Sequence, residues 1–147
     1  MNYKGPFVYP TVDIAIINLA DKRLLLAQKP NENLLRFVGG FADVLSPSYE
    51  DDAIREVKEE TSLIITDPKY IGSIIIDDER FRQSGNKIKT LLFVAEWREG
   101  TPAAKDDIEF VCWKNFGEIS EGGVVPMHRP LLSMLNDYFK NEILRLP

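Results

Sequence analysis

From Ser48 to Thr61 the hydrophobic period is helical, while the segments before and after it read as strands. Ala53, Val57 and the Thr61 methyl share one face of this segment, and Asp52, Glu56, Glu59 and Glu60 lie on or near the opposite one. Upstream, "TVDIAIINL" alternates and is rich in β-branched residues, "ADKR" turns it, and "LLLAQK" returns, so an antiparallel strand pair is expected over residues 11–28. The next stretch, "LLRFVGGFADVLSPS", reads as a loop. Downstream, "KYIGSIIID", "KIKTLLFVAEWR" and "IEFVCW" read as strands, the first two joined by the charged loop "DDERFRQSGN". The tail "HRPLLSMLNDYFKNEIL" places Leu131, Leu135, Tyr138 and Ile143 at near-helical spacing and reads as a closing amphipathic helix. Strands, one helix, more strands and a final helix require an α/β arrangement in which helices cover a mixed sheet.

The helix has two candidate starts. Ser48 with Asp51 resembles a capping box, and Ser46 followed by Pro47 is an equally good beginning.

With 147 residues and no linker or low-complexity tract, the chain is expected to form a single domain, 1–147. Its net charge of -5, from 18 basic and 23 acidic residues, argues against a general nucleic-acid binder. Local Arg or Lys side chains can still hold a small anion. The single Cys112 forms neither an intrachain bridge nor a cysteine zinc cage and reads as a core thiol. The apolar run Ile14 to Ala20 is too short to span a membrane and a poor signal peptide, so no membrane role and a cytoplasmic location are expected.

Glu56 with Glu60 (i, i+4) and Glu56 with Glu59 (i, i+3) point carboxylates into a shared volume, where like charges repel by a few tenths of a kcal/mol per pair. Two readings fit this: a solvated acidic face interspersed with Arg55 and Lys58, or hard oxygen ligands for Mg²⁺, which favours a few carboxylates plus substrate phosphate oxygens. The glycine pair Gly39-Gly40 upstream favours the metal. A loop of close backbone approach beside the acidic helix lets a metal bound to a diphosphate be reached from both sides.

The segment "GG...REVKEETSL" resembles the Nudix box: Gly, five residues, Glu, seven residues, then Arg-Glu-apolar-X-Glu-Glu-X-Gly-apolar. Arg55, Glu56, Val57, Glu59, Glu60 and Leu63 match its second half in register. Two positions depart. Counting back from Arg55, the first Glu of the pattern falls on Pro47, in a loop one residue longer than the pattern, and Ser62 stands at its Gly. In the family that first Glu mostly braces the box, and Asp43 or Glu50 are the acids that could replace it. A Ser in a left-handed helix end costs on the order of 1 kcal/mol relative to Gly.

The resemblance to the Nudix hydrolase family implies an α/β/α sandwich with a mixed β-sheet and hydrolysis of a nucleoside diphosphate linked to another moiety, with Mg²⁺ or alternatively Mn²⁺. It implies metal ligation by Glu56, Glu59 and Glu60 and by a carbonyl of Gly39 or Gly40, with Arg55 orienting the glutamates. "TVDIAIIN...RLLLAQK", "KIKTLLFVAEW" and "AAKDDIEFVCW" resemble the NAD-metabolism branch, which points to ADP-ribose as substrate and to a homodimer. In that branch an acid before the later strand completes the site or serves as base; Asp106, Asp107 and Glu109 are the candidates, with a polar turn as the bland alternative.

Arg80, Arg82, Lys87 and Lys89 in the charged loop are candidate diphosphate partners, Arg80 and Arg82 foremost because a guanidinium binds phosphate oxygens bidentately. Phe37, Phe81 or Tyr9 are candidates to stack on an adenine, against a core role. His128, the only histidine, reads as structural or at the pocket rim. The competing reading of the whole chain is a Nudix-like sensor domain that binds a nucleotide without cleaving it.

Overall fold

The computed structural model describes residues 2–143. Six strands form one mixed sheet: β1 (Val8–Asn18), β2 (Arg23–Gln28), β3 (Val38–Phe41), β4 (Lys69–Ile76), β5 (Lys87–Glu96) and β6 (Phe110–Asn115). Helices α1 (Tyr49–Thr61) and α2 (Arg129–Ile143) complete the described residues, with short 3-10 turns between β4 and β5 and ahead of α2. The main path runs β4-β5-β1-β2-β6, in which only β1 and β5 are parallel. The expected β1-β2 pair forms, and Asn18 shapes its turn by accepting the Asp21 N–H at 3.2 Å.

One expectation is corrected. The glycine-rich stretch read as loop contains β3, which pairs antiparallel with the first half of β1, from Thr11↔Phe41 to Ile14↔Val38. Alternation is hard to see in a four-residue strand with glycine at both central positions. β2 occupies the same edge of β1 further along, from Ile16↔Leu25 to Asn18↔Arg23.

The alternation of β1 divides the core in two. Val12, Ile14 and Ile16 join Leu25, Ala27 and Val38 under Ala53 and Val57 of α1. Ala15 and Ile17 join Leu24, Leu26 and Leu92 under Leu131, Leu132 and Leu135 of α2. This is the α/β/α sandwich, with each fully buried Leu or Ile contributing about 1.5–3 kcal/mol. Ile143, the last position of the expected α2 stripe, has its side chain outside the described residues.

Between the two candidate starts of α1, the structure selects Ser48: its backbone is extended and its Oγ accepts the Asp51 N–H at 3.1 Å. Glu50, Asp51 and Asp52 fill the first turn, where the helix dipole favours acids. At the other end Ser62 adopts φ 69°, ψ -2° and donates its N–H to the Lys58 carbonyl. Glycine reaches this conformation without the Cβ penalty. Ser62→Gly is therefore expected to raise stability by about 1 kcal/mol, read as a shift in denaturant midpoint with unchanged m-value.

Candidate active site

Strand β3 is so closely flanked, by helix α1 at Gly40 and by strand β1 at Gly39, that side chains on the glycine pair are excluded. A Cβ on Gly40 would sit 2.6 Å from Glu56 Oε1, and one on Gly39 would sit 2.1 Å from the Val12 carbonyl oxygen. Gly39 N–H donates to Glu60 Oε1 at 2.8 Å. The carboxylates of Glu56 and Glu60 are thus held against the strand, 8% and 4% exposed as residues.

Burial raises the pKa of Glu56, an effect opposed by the neighbouring Arg55 guanidinium. Burial also pushes Glu60 up to about 8, against the Gly39 hydrogen bond and with added repulsion from Glu56 and Asp107. Glu59 is about half exposed. Arg55 links the acids: Nη1 donates to Glu56 at 3.0 Å and to Glu59 at 3.1 Å, and Nη2 to Asp52 at 3.2 Å.

The glutamates form one wall of a cleft of about 330 Å³, and Lys29, Arg36 and Arg80 lie on its lining as well. Asp106 and Asp107 reach it because the segment before β6 is pinned to the end of α1: Lys105 N–H donates to the Glu60 carbonyl and Ala103 N–H to that of Thr61. Lys29 pairs with Asp107 at 3.2 Å. At the cleft floor, Asp13 accepts from Thr90 Oγ1, and its Oδ1 lies 3.6 Å from His128 Nε2. His128 Nδ1 accepts the Phe37 N–H at 3.0 Å, and burial lowers the imidazole pKa, so a neutral ring with its proton on Nε2 suits the site.

The family model for the NUDIX domain matches residues 9–135. The chain belongs to the NUDIX domain family. Among its relatives is the NAD-capped RNA hydrolase NudC of Vibrio atlanticus (strain LGP32), 34% identical over 70 residues, which are 46% of this chain and 25% of that protein. The matched stretch therefore spans about a quarter of that relative's length. The fold is shared with a MutT NUDIX hydrolase from Burkholderia pseudomallei (TM-score 0.72, 20% identity, 86% of this chain and 97% of that one). It is shared also with the NUDIX domain of Shewanella oneidensis NrtR, solved as a complex with ADP ribose (TM-score 0.74, 18% identity, 93% of this chain and 90% of that one).

Within this Nudix chain the cleft gathers Gly39, Gly40, Glu56, Glu59, Glu60, Arg80 and Asp107 of the sequence candidates. Arg55 stands directly behind the glutamates. Six candidates are placed otherwise. Arg82 is off the cleft lining: it pairs with Asp77 at 2.8 Å and, with Lys87, borders a second hollow, while it shares a third, beside the cleft, with Arg80. Glu109 is exposed and off the cleft, its N–H committed to the Gln28 carbonyl. Phe37 borders the cleft at 1% exposure with its ring in the α2-side core, which leaves no free face for an adenine. Tyr9 and Phe81 stack on each other at 5.2 Å.

Sequence reasoning missed Lys29, Arg36 and Asp13. Lys29 carried a faint signal as the cation ending "LLLAQK", whereas Asp13 was hidden inside a strand pattern whose alternation it satisfies.

The donor chemistry suits a hard divalent cation: two carboxylates desolvated beside each other gain from a positive charge between them, and a Gly40 side chain would fill the same space. Yet among the described residues no three His, Cys, Asp or Glu side chains are gathered into a ligand set. Arg55 draws Glu56 and Glu59 toward itself, while Gly39 holds Glu60.

Proposed function

We propose that the chain hydrolyses the diphosphate bond of a nucleoside diphosphate linked to another moiety, with ADP-ribose as the substrate, water as the nucleophile, and AMP and ribose 5-phosphate as products. The observation that carries this reading is a cleft in which desolvated Glu56 and Glu60 lie beside the cations Lys29, Arg36 and Arg80. Carboxylates alone would repel a diphosphate, and cations alone would bind it without activating it. The Shewanella neighbour solved with ADP ribose and the Vibrio relative named for NAD-capped RNA lend support to the choice of substrate.

Glu56, Glu59 and Glu60, with a glycine carbonyl, are the groups proposed to hold Mg²⁺ or Mn²⁺, which when bound supplies positive charge to the diphosphate oxygens. Arg80 is oriented for this work: Nε and Nη2 grip the buried Asp78 at 2.6 to 3.1 Å, leaving Nη1 free of partners among the described residues. Lys29 and Arg36 neutralise the remaining phosphate charge. Asp107, held by Lys29, accepts the proton of the attacking water at a carboxylate oxygen. Pairing of two chains is part of the proposal, supported by the exposed apolar side chains Val44 and Leu45 near Phe41 in the loop before α1.

The deciding experiment is a panel of nucleoside diphosphate derivatives assayed with and without Mg²⁺, with the mass of the same preparation read by light scattering. Turnover of ADP-ribose, dependent on Mg²⁺, is expected from a dimer. Binding without turnover of any member selects the sensor reading, which the missing box glutamate at Pro47 favours. Within an active enzyme, Arg80→Ala is expected to raise KM by about tenfold, the size of one charged hydrogen bond, whereas Arg82→Ala leaves KM within about twofold because an exposed pair away from the cleft contributes little.

A further inference from the structure

We infer that Asp52 is the positioning residue of the acidic helix, holding the Arg55 guanidinium where it in turn sets the carboxylates of Glu56 and Glu59. The inference rests on the reading of the cleft proposed above. An acid on the first turn of a surface helix ordinarily faces water, but Asp52 is 2% exposed. Its Oδ1 accepts from Arg55 Nη2 at 3.2 Å and from the Asp43 N–H at 2.9 Å, joining the helix to the loop that leads into it.

Arg55 has few other anchors. Nη2 also donates to the Phe41 carbonyl of β3 at 3.1 Å, both bonds of Nη1 go to the glutamates, and Nε is buried without a partner among the described residues. No side-chain acceptor comes from position 47, where Pro47 stands at the pattern's glutamate. The two acids that the sequence offered as replacements do not reach: Asp43 turns its Oδ1 to the Leu45 N–H, and Glu50 is exposed. Without Asp52, one carbonyl oxygen would be the sole support of a guanidinium that must also hold two mutually repelling carboxylates.

The test uses the full chain, with Mn²⁺ as probe. Free Mn²⁺ is titrated by electron paramagnetic resonance, and the Arg55 side-chain N–H signals are followed by NMR in the metal-free protein. Asp52→Ala is expected to weaken Mn²⁺ binding by about 10-fold or more, the scale on which partners behind metal ligands act, and to speed rotation of the Arg55 guanidinium. Asp52→Asn, which keeps one acceptor oxygen, falls between and carries both readouts should the alanine variant not fold. Unchanged Arg55 signals in the variants overturn the inference, as does a freed guanidinium with undiminished Mn²⁺ affinity. If the parent protein binds no Mn²⁺ while the variants still free Arg55, the metal reading falls and the brace stands.

Discussion

Glu59→Gln and Glu60→Gln are each expected to lower kcat for ADP-ribose by roughly 10²–10³-fold, the loss that follows removal of one preorganised charge-stabilising group. Neither change should unfold the protein. Glu60→Gln retains a side-chain carbonyl oxygen for the Gly39 N–H, the bond that Glu60 Oε1 now makes at 2.8 Å, and Glu59 is half exposed with only its Arg55 contact at stake. Stability should therefore change by about 0.5 kcal/mol or less for Glu59→Gln, as for other exposed positions. The double variant should be little worse than the poorer single one, because groups acting on one charge are not additive. Steady-state rates beside thermal melts check both points. If both variants retain full activity, the metal assignment is wrong.

Gly39→Ala and Gly40→Ala should separate stability from chemistry, although the residues are adjacent. A methyl on Gly39 meets the Val12 carbonyl oxygen at 2.1 Å and Val12 is central to β1, so relief requires β3 to move off its partner. The expected cost is about 3 kcal/mol, the upper end of overpacking, which for a chain of this size lowers the melting temperature by roughly 6–12 °C. A methyl on Gly40 instead meets the end of the Glu56 side chain at 2.6 Å, which can rotate away. Gly40→Ala should therefore fold with a smaller loss of stability but lose most of its activity, because the carboxylate leaves the strand. Calorimetry and rate measurements on the two variants discriminate these outcomes; a Gly40→Ala protein with undiminished rate would remove Glu56 from the site.

Much of this was legible one residue at a time. The helical period around Ala53 and Val57, the alternation of β1, and the order of strands and helices apart from β3 are local patterns, and each appears in the structure as read. The left-handed Ser62 follows from its place at the end of that helix. Candidates on the helix and the glycine pair come together in one cleft because β3 packs against the helix that follows it closely in the chain. Those in the charged loop divide: Arg80 and Arg82 are two residues apart and look equivalent, yet Arg80, gripping Asp78, lines the cleft, and Arg82, paired with Asp77, does not.

The sequence by itself determined the element types other than β3, the acidic face and the requirement for close backbone approach at Gly39-Gly40, since these follow from side-chain period and from the absence of a Cβ. Only the tertiary structure decided what stands around that face. Lys29 and Arg36 near the end of β2, Asp107 before β6 and His128 before α2 reach one cleft through strand order and loop pinning, contacts between residues tens of positions apart that no local pattern encodes. Burial itself is of this kind. From the helix period alone, Asp52 and Glu56 fit a solvated acidic face as well as a metal site; β3 and its loop close over them, and it is that closure which turns two ordinary carboxylates into groups that must be paired.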